Sequence, residues 1–148
     1  MHDDAARMYF RFFNEIGIIG QLSRALFEAR LPDGLLVSHF SVVNHLVRLG
    51  DGRTPLNIAQ AFQVPKTTMT HTLSILEKHG FVEMVPNPDD GRSKLVKLTD
   101  AGRAFQGEAI ERLGPDMLTM SEEIPAKRIA EIVPLLEEVR QYLDANRP

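Results

Sequence analysis

Residues 54–98, TPLNIAQAFQVPKTTMTHTLSILEKHGFVEMVPNPDDGRSKLVKL, decide the fold. Leu56, Ile58, Ala59 and Phe62 recur at the spacing of one buried helical face, which predicts a short helix over 56–62. Val64 fills the turn after it. Pro65 stands where a second helix begins, its ring already holding the backbone angle of a first helical residue. That helix is predicted over 66–79, with Gly80 as its C-terminal cap. Each residue turns the helix by about 100°, so Met69, Thr72, Leu73 and Leu76 fall on one side. Thr67, Thr70, His71, Ser74 and Lys78 face the other way.

Next comes a strand, Val82 to Val85, ended by Pro86. The loop Asn87-Pro88-Asp89-Asp90-Gly91-Arg92 turns the chain with strong breakers, and a strand returns over Lys94–Leu98 with Val96 and Leu98 alternating around Lys97. Helix, turn, helix and hairpin in this order describe a winged helix-turn-helix. The outward face of the second helix offers hydroxyls, an imidazole and a cation, and Glu77 at its edge is its one carboxylate. Such groups donate to phosphates and to base-edge acceptors. A lone helix of this kind would be read as a solvated face; the hairpin behind it changes the weighting. Arg92 at the tip is placed to enter a narrow, negatively charged minor groove. Asp90 is expected to hold Arg92 by an ion pair or by hydrogen bonds that orient it, a geometric use, since exposed pairs stabilise little.

The runs IAQAFQVPKTTMTHTLSILEKHGFVE and NPDDGRSKLVKLTDAGRA resemble the multiple-antibiotic-resistance regulator (MarR) family of bacterial transcription factors. The most specific part is Asp90-Gly91-Arg92 followed by Leu98-Thr99-Asp100-Ala101-Gly102. By motif the resemblance covers about a third of the chain; by the order of helices it covers nearly all of it. It implies a winged-helix homodimer on palindromic double-stranded DNA, with release by a small ligand or by oxidation common in the family. The expected DNA-contacting set is Lys66, Thr67, Thr68, Thr70, His71, Ser74, Lys78, Arg92 and Lys94. Thr67, Thr70, His71 and Ser74 read or line the groove, Thr68 lies near the helix start and phosphate, and Lys66, Lys78, Arg92 and Lys94 supply charge. Residue 63 departs from the pattern: glycine is common in this turn, and the chain has Gln63.

Composition bounds the rest. The chain has 148 residues, enough for one domain or a small domain with dimerising helices, and its 43% hydrophobic and 25% charged content excludes a disordered or fibrous class. There is no cysteine, which excludes disulfides, zinc–thiolate sites and a sensing thiol. Net charge is −3, unusual for a nucleic-acid binder, but the sign is unevenly spread. Residues 100–148 carry ten acids and six bases, whereas residues 66–99 carry four acids and five bases. No apolar run is long enough to span a bilayer, and MHDDAARMYF has acids where a signal peptide has bases, so a cytoplasmic protein with no membrane partner is expected.

Outside the central stretch the expected class is mainly α, with the small β-hairpin wing, flanked by N- and C-terminal dimerisation helices. Residues 1–37 and 100–148 form the helical dimerisation domain and residues 38–99 the winged helix-turn-helix. A long first helix is predicted over 3–30, with Tyr9, Phe12, Phe13, Ile16, Ile19, Leu22, Leu26 and Phe27 on a broad apolar arc and Phe10 and Ile18 on the other side. A helix apolar on more than one face is buried on more than one face, which suggests a partner chain. Leu31-Pro32-Asp33-Gly34 breaks it, Ser38 is the expected cap of the next helix, and Gly50-Asp51-Gly52 ends that one. Thr99 caps a fifth helix, with Ala101, Phe105, Ile110 and Leu113 along it, and Gly114-Pro115 should kink or break it. A last helix starts near Pro125 and runs to Ala145, bent at Pro134, with Ile129, Ile132, Val133, Leu136, Val139 and Leu143 on its buried side.

No spacing among His2, His39, His45, His71 and His79 matches a metal motif, so no metal or cofactor is expected, and His39 and His45 read as structural histidines. The sequence carries no phosphate loop, nucleophile elbow or carboxylate pair beside a histidine, so an enzyme is not expected. The resemblance implies a ligand pocket where the dimerisation helices meet the winged helix. The apolar residues of helices one, two and five would suit a small aromatic or anionic effector there, and would equally make a plain core. The alternative function is a winged-helix module for protein–protein contact without DNA binding, because fold does not fix function.

Overall fold

The computed structural model of the chain describes residues 2–32 and 34–148. Met1 and Asp33, which entered the reading of the N-terminus and of the first break, lie outside the described residues, as does the His2 side chain. The elements are α1 (His2–Arg30), α2 (Val37–Leu49), α3 (Pro55–Phe62), α4 (Lys66–Lys78), β1 (Val82–Pro86), β2 (Lys94–Leu98), α5 (Asp100–Glu123) and α6 (Ala126–Ala145). This is the expected class, mainly helical with one antiparallel hairpin. Two compact units, 1–112 and 113–148, divide the chain within α5.

In the first unit the core is built from Val42, Val43 and Leu46 of α2, Ile58 and Ala59 of α3, Met69, Leu73 and Leu76 of α4, Val82 and Val96 of the hairpin, and Phe105 of α5. The helical face read from the sequence for α4 is the buried one, Thr72 included. On α3 the buried pair is Ile58 and Ala59, while Leu56, expected inside, is 47% exposed on the first turn. Helix α5 buries Gly102, Phe105 and Ala109. The expected stripe there was rotated: Ala101 and Ile110 face solvent and Leu113 is half-buried. Burial follows the three- and four-residue steps from Gly102, which is the residue that touches the hairpin.

Helix ends explain several further differences. Pro65 is the N-cap of α4, with φ −59° and ψ 147°, and Lys66 is the first helical residue. The Pro65 carbonyl accepts the Met69 N–H at 3.1 Å. Helix α4 closes in a Schellman motif, with Gly80 at φ +75° and the Phe81 N–H donating to the Leu76 carbonyl at 3.0 Å. Helix α3 closes in the same way on Gln63, at φ 53° and ψ 45°, with the Val64 N–H donating to the Ala59 carbonyl. A side chain in that left-handed region costs about 1–2 kcal/mol, which the two bonds closing the turn offset.

Ser38 does not cap α2; Leu36 is the N-cap. The Val37 N–H donates to Glu28 Oε1 of α1 at 3.2 Å, and the Leu36 N–H donates to His39 Nδ1 at 2.8 Å. The caps thus come from a carboxylate of the preceding helix and from a histidine at the position where a capping box usually carries Glu or Gln. Helix α5 neither breaks nor stops at Pro115 and runs on to Glu123. Proline already holds a helical φ and removes one N–H donor, a cost of about 3 kcal/mol that a long helix can carry. Helix α6 buries none of its residues: Ile129, Ile132, Val133, Leu136 and Leu143 are exposed and Val139 is half-buried. The arc of α1 is likewise open, with Tyr9, Ile19 and Leu22 each more than half exposed.

The hairpin meets α5 through Thr99 and Gly102. The Thr99 hydroxyl donates to the Gly80 carbonyl at 2.6 Å and accepts the Gly102 N–H at 3.0 Å, which makes it the cap expected for α5. A Cβ on Gly102 would stand 2.2 Å from the Phe81 carbonyl oxygen. Gly102→Ala should therefore destabilise the protein by roughly 1–3 kcal/mol, read as a lower urea midpoint, because the backbone must part to admit the methyl group. Acid should also weaken the fold. Burial, and then the charges of His79 and His71, lower the His39 pKa; burial, and then Arg53 and Arg48, lower that of His45. The unfolded chain binds protons that the folded chain resists, so stability is full above the ordinary histidine value of 6.5 and falls as pH drops below it. Urea unfolding at about pH 7.5 and about pH 5.5 should show that loss, and His39→Gln should flatten it without abolishing it, because His45 still contributes.

Candidate nucleic-acid interface

All seven expected residues of α4 (Lys66, Thr67, Thr68, Thr70, His71, Ser74 and Lys78) are exposed. Thr67, Thr70, His71, Ser74 and Lys78 stand on the face opposite Met69, Thr72, Leu73 and Leu76. Packing on that inner side fixes the helix, since α4 rests on α2, α3 and β1. The inner Thr72 hydroxyl donates to the Thr68 carbonyl at 3.1 Å, so a polar group on the core side is satisfied within the helix itself. The outer side chains are exposed on a helix held from behind by the core, as a surface that reads another molecule requires.

The wing pairs Val82 with Leu98, Met84 with Val96 and Pro86 with Lys94. Pro86 is therefore the last paired residue, at the mouth of the loop. Within the loop, Asn87 Oδ1 accepts the Asp89 N–H at 2.9 Å and Asn87 Nδ2 donates to Ser93 Oγ at 3.0 Å. Asp90 Oδ1 accepts the Arg92 N–H, also at 2.9 Å. The carboxylate thus holds the backbone of Arg92, and among the described residues no ion pair joins it to the guanidinium. The Arg92 side chain projects from an anchored main chain. Arg92, Lys94 and Asp90 are exposed.

His39 and His45 stand apart from this face. His39 is 4% exposed, burial lowers its pKa and its Nδ1 is occupied as an acceptor, and the His45 ring meets Phe62 edge-on at 5.2 Å. Among the described residues no three His, Asp or Glu side chains gather as metal ligands would, and no helix is long and apolar enough to cross a membrane.

Two features of this region were not read from the sequence. His79 stacks on Phe81 at 5.4 Å, and Phe81 stacks on Phe105 at 4.4 Å, so the end of α4 is tied by rings to α5. Phe105 in turn meets Phe40 of α2, which meets Phe27 of α1. The second feature is the segment Gly50–Arg53, read only as a helix terminator. Arg53 donates to the carbonyls of Leu49 at 2.7 Å and Gly50 at 2.9 Å, closing α2, and Asp51 Oδ2 accepts the Leu98 N–H at 3.0 Å. The one sequence signal was the placing of charged residues between and after two glycines.

Known proteins share this arrangement. A sequence model of the MarR family matches residues 33–93. The multiple antibiotic resistance protein MarR of Escherichia coli K12 is 30% identical over 136 residues, covering 86% of this chain and 94% of that protein. A crystal structure of a mutant E. coli MarR superposes with a TM-score of 0.73 at 28% identity, covering 85% of this chain and 93% of the other. A second, of a mutant complexed with operator DNA, gives a TM-score of 0.70 at 27% identity, covering 89% and 95%. With a relative of this identity matched over almost its whole length, and the winged helix in place, the chain belongs to the MarR family of transcriptional regulators.

Proposed function

We propose that the protein is a sequence-specific, DNA-binding transcriptional regulator that acts as a homodimer on a palindromic operator, as a repressor. The observation that carries this reading is the outer face of α4: hydroxyls, an imidazole and amines at one helical spacing, all exposed, on a helix held from behind by the core. The hairpin packed on that helix adds Arg92 on a braced backbone. In this reading α4 enters a major groove, and Thr67, Thr70, His71 and Ser74 read or line it. Thr68 lies near phosphate at the helix start; Lys66, Lys78 and Lys94 neutralise phosphates, and Arg92 enters the adjacent minor groove. The relative seen with operator DNA supports this use of the fold.

The helices of residues 1–37 and 100–148 supply the dimer interface. Their support is the exposed apolar surface of α1 and α6, which water would otherwise cover at about 25 cal/mol for each Å². Two-fold symmetry then sets the half-sites about one helical turn apart. An aromatic or anionic effector is taken up beside the rings of Phe27, Phe40 and Phe105, where α1, α2 and α5 meet. It relieves repression by favouring a dimer whose recognition helices no longer match that spacing. The protein works in the cytoplasm, where its operator is.

Fluorescence anisotropy with DNA from upstream of the protein's own coding region, at two salt concentrations, tests the reading. Tight binding that weakens with salt is expected, and Arg92→Ala should weaken it and lower the salt slope by about 1. Weak binding to this DNA and to a randomised pool, indifferent to Arg92, would instead mean that the winged helix serves protein–protein contact.

A further inference from the structure

We propose that Asp51 is a positioning residue for the wing, a part of the DNA-reading apparatus that lies outside the helix-turn-helix and the hairpin. The inference rests on the DNA-binding reading and deepens it. Strand β2 has two edges. One pairs with β1; the other is met by the segment that leaves α2. There the Val96 N–H donates to the Arg53 carbonyl and the Gly52 N–H donates to the Val96 carbonyl, each at 2.8 Å. Amides two residues apart on a strand point to the same edge, so the next N–H facing this segment is that of Leu98. Among the described residues no backbone carbonyl outside the hairpin meets it. The Asp51 carboxylate does, at 3.0 Å and 47 residues away in the chain.

Among the described residues three hydrogen bonds therefore hold the outer edge of the wing, and the last is made by a side chain. At 3.0 Å it is a little longer than its two backbone neighbours, and it completes the row they begin. The segment is itself fixed. Arg53 clamps it to the C-terminal carbonyls of α2, and Gly52 adopts φ +75°, with the Lys97 ammonium 3.2 Å from where a Cβ would stand. Residues 50–53, which leave α2 and lie along β2, are thus a short link braced at both ends. Asp51 sets the angle at which β2, and with it the loop bearing Arg92 and Lys94, leaves the body of the domain.

The sign of the effect distinguishes this role from a merely electrostatic one. Removing a carboxylate from a DNA-binding domain reduces repulsion of phosphate and should tighten binding. Loss of a positioning group should weaken it. Asp51→Ala, Asp51→Asn, Arg92→Ala and the double variant Asp51→Ala with Arg92→Ala would be measured for operator affinity across a salt series, together with amide hydrogen exchange at Leu98. Asp51→Ala is expected to weaken binding, to lower the salt slope by up to about 1 and to speed Leu98 exchange. Asp51→Asn keeps an acceptor oxygen and should restore both. The double variant should bind no more weakly than Arg92→Ala alone, because Asp51 acts through the wing.

Unchanged or tighter binding by Asp51→Ala, while Arg92→Ala still weakens binding, would overturn the proposal and leave the DNA-binding reading standing. Additive losses would overturn it too. If Asp51→Ala does not fold, Asp51→Asn decides: wild-type affinity with protected Leu98 supports the role, and weakened affinity with Leu98 still protected contradicts it. Failure of the wild-type protein to bind any DNA would fall on the functional reading itself.

Discussion

The Phe81 carbonyl is where the reading elements are joined. It follows the Schellman end of α4, stands just before β1, accepts the Thr99 N–H at 3.1 Å and lies against Gly102 of α5, where a Cβ would stand 2.2 Å away. Thr99 completes the joint, bonding back to Gly80 and forward to Gly102 with one hydroxyl. Recognition helix, both wing strands and the helix that leads away are thus registered to one another across five residues: Gly80, Phe81, Leu98, Thr99 and Gly102. A shift at any of them would move α4 relative to the wing, and a reader of two adjacent grooves cannot accept much of that. The Leu98-Thr99-Asp100-Ala101-Gly102 run, noticed first as a family signature, therefore has a mechanical reason: a cap hydroxyl and a backbone contact that a methyl group would break.

Around this joint the polar and apolar surfaces divide by task. The face of α4 that could touch nucleic acid carries donors and no apolar anchor, and its partner, the wing, carries arginine and lysine. The acidic excess falls in residues 100–148, so an overall net charge of −3 hides a central stretch with one more base than acids. The apolar faces of α1 and α6 stand open in the single chain, a larger exposure than a monomer comfortably carries. One set of helices thus leaves apolar surface exposed, and the other presents donors and cations.

Local chemistry made the winged helix legible. The inner face of α4, the alternation of Val96 and Leu98, the glycine cap at Gly80 and the Thr99 cap all depend on periods and caps that a few neighbouring residues dictate. What could not be read depended on residues distant in sequence. Ser38 looked like a cap, but Glu28 reaches from α1 and His39 reaches back, so the cap lies at Leu36. Asp51 looked like a terminator, and its partner lies 47 residues away. Pro115 was read as a kink or a break, and the break does not occur: the cost of a proline is visible in sequence, whereas the strength of the helix around it is not. The apolar side of α6 was legible as a stripe, but not that the chain itself leaves it uncovered. At the wing, the carboxylate of Asp90 was expected near Arg92; that it grips the main chain follows from the turn geometry.

The central claim is that one rigid body places a helix in a major groove and a wing in the neighbouring minor groove. Dimethyl sulfate probes both at once, because it methylates guanine N7 in the major groove and adenine N3 in the minor groove. The account predicts protection of guanine N7 in two half-sites about one helical turn apart, related by two-fold symmetry, with protected adenine N3 flanking each on the wing side. Protection of guanine N7 without the flanking N3 signal, or a pattern with no two-fold repeat, would contradict it.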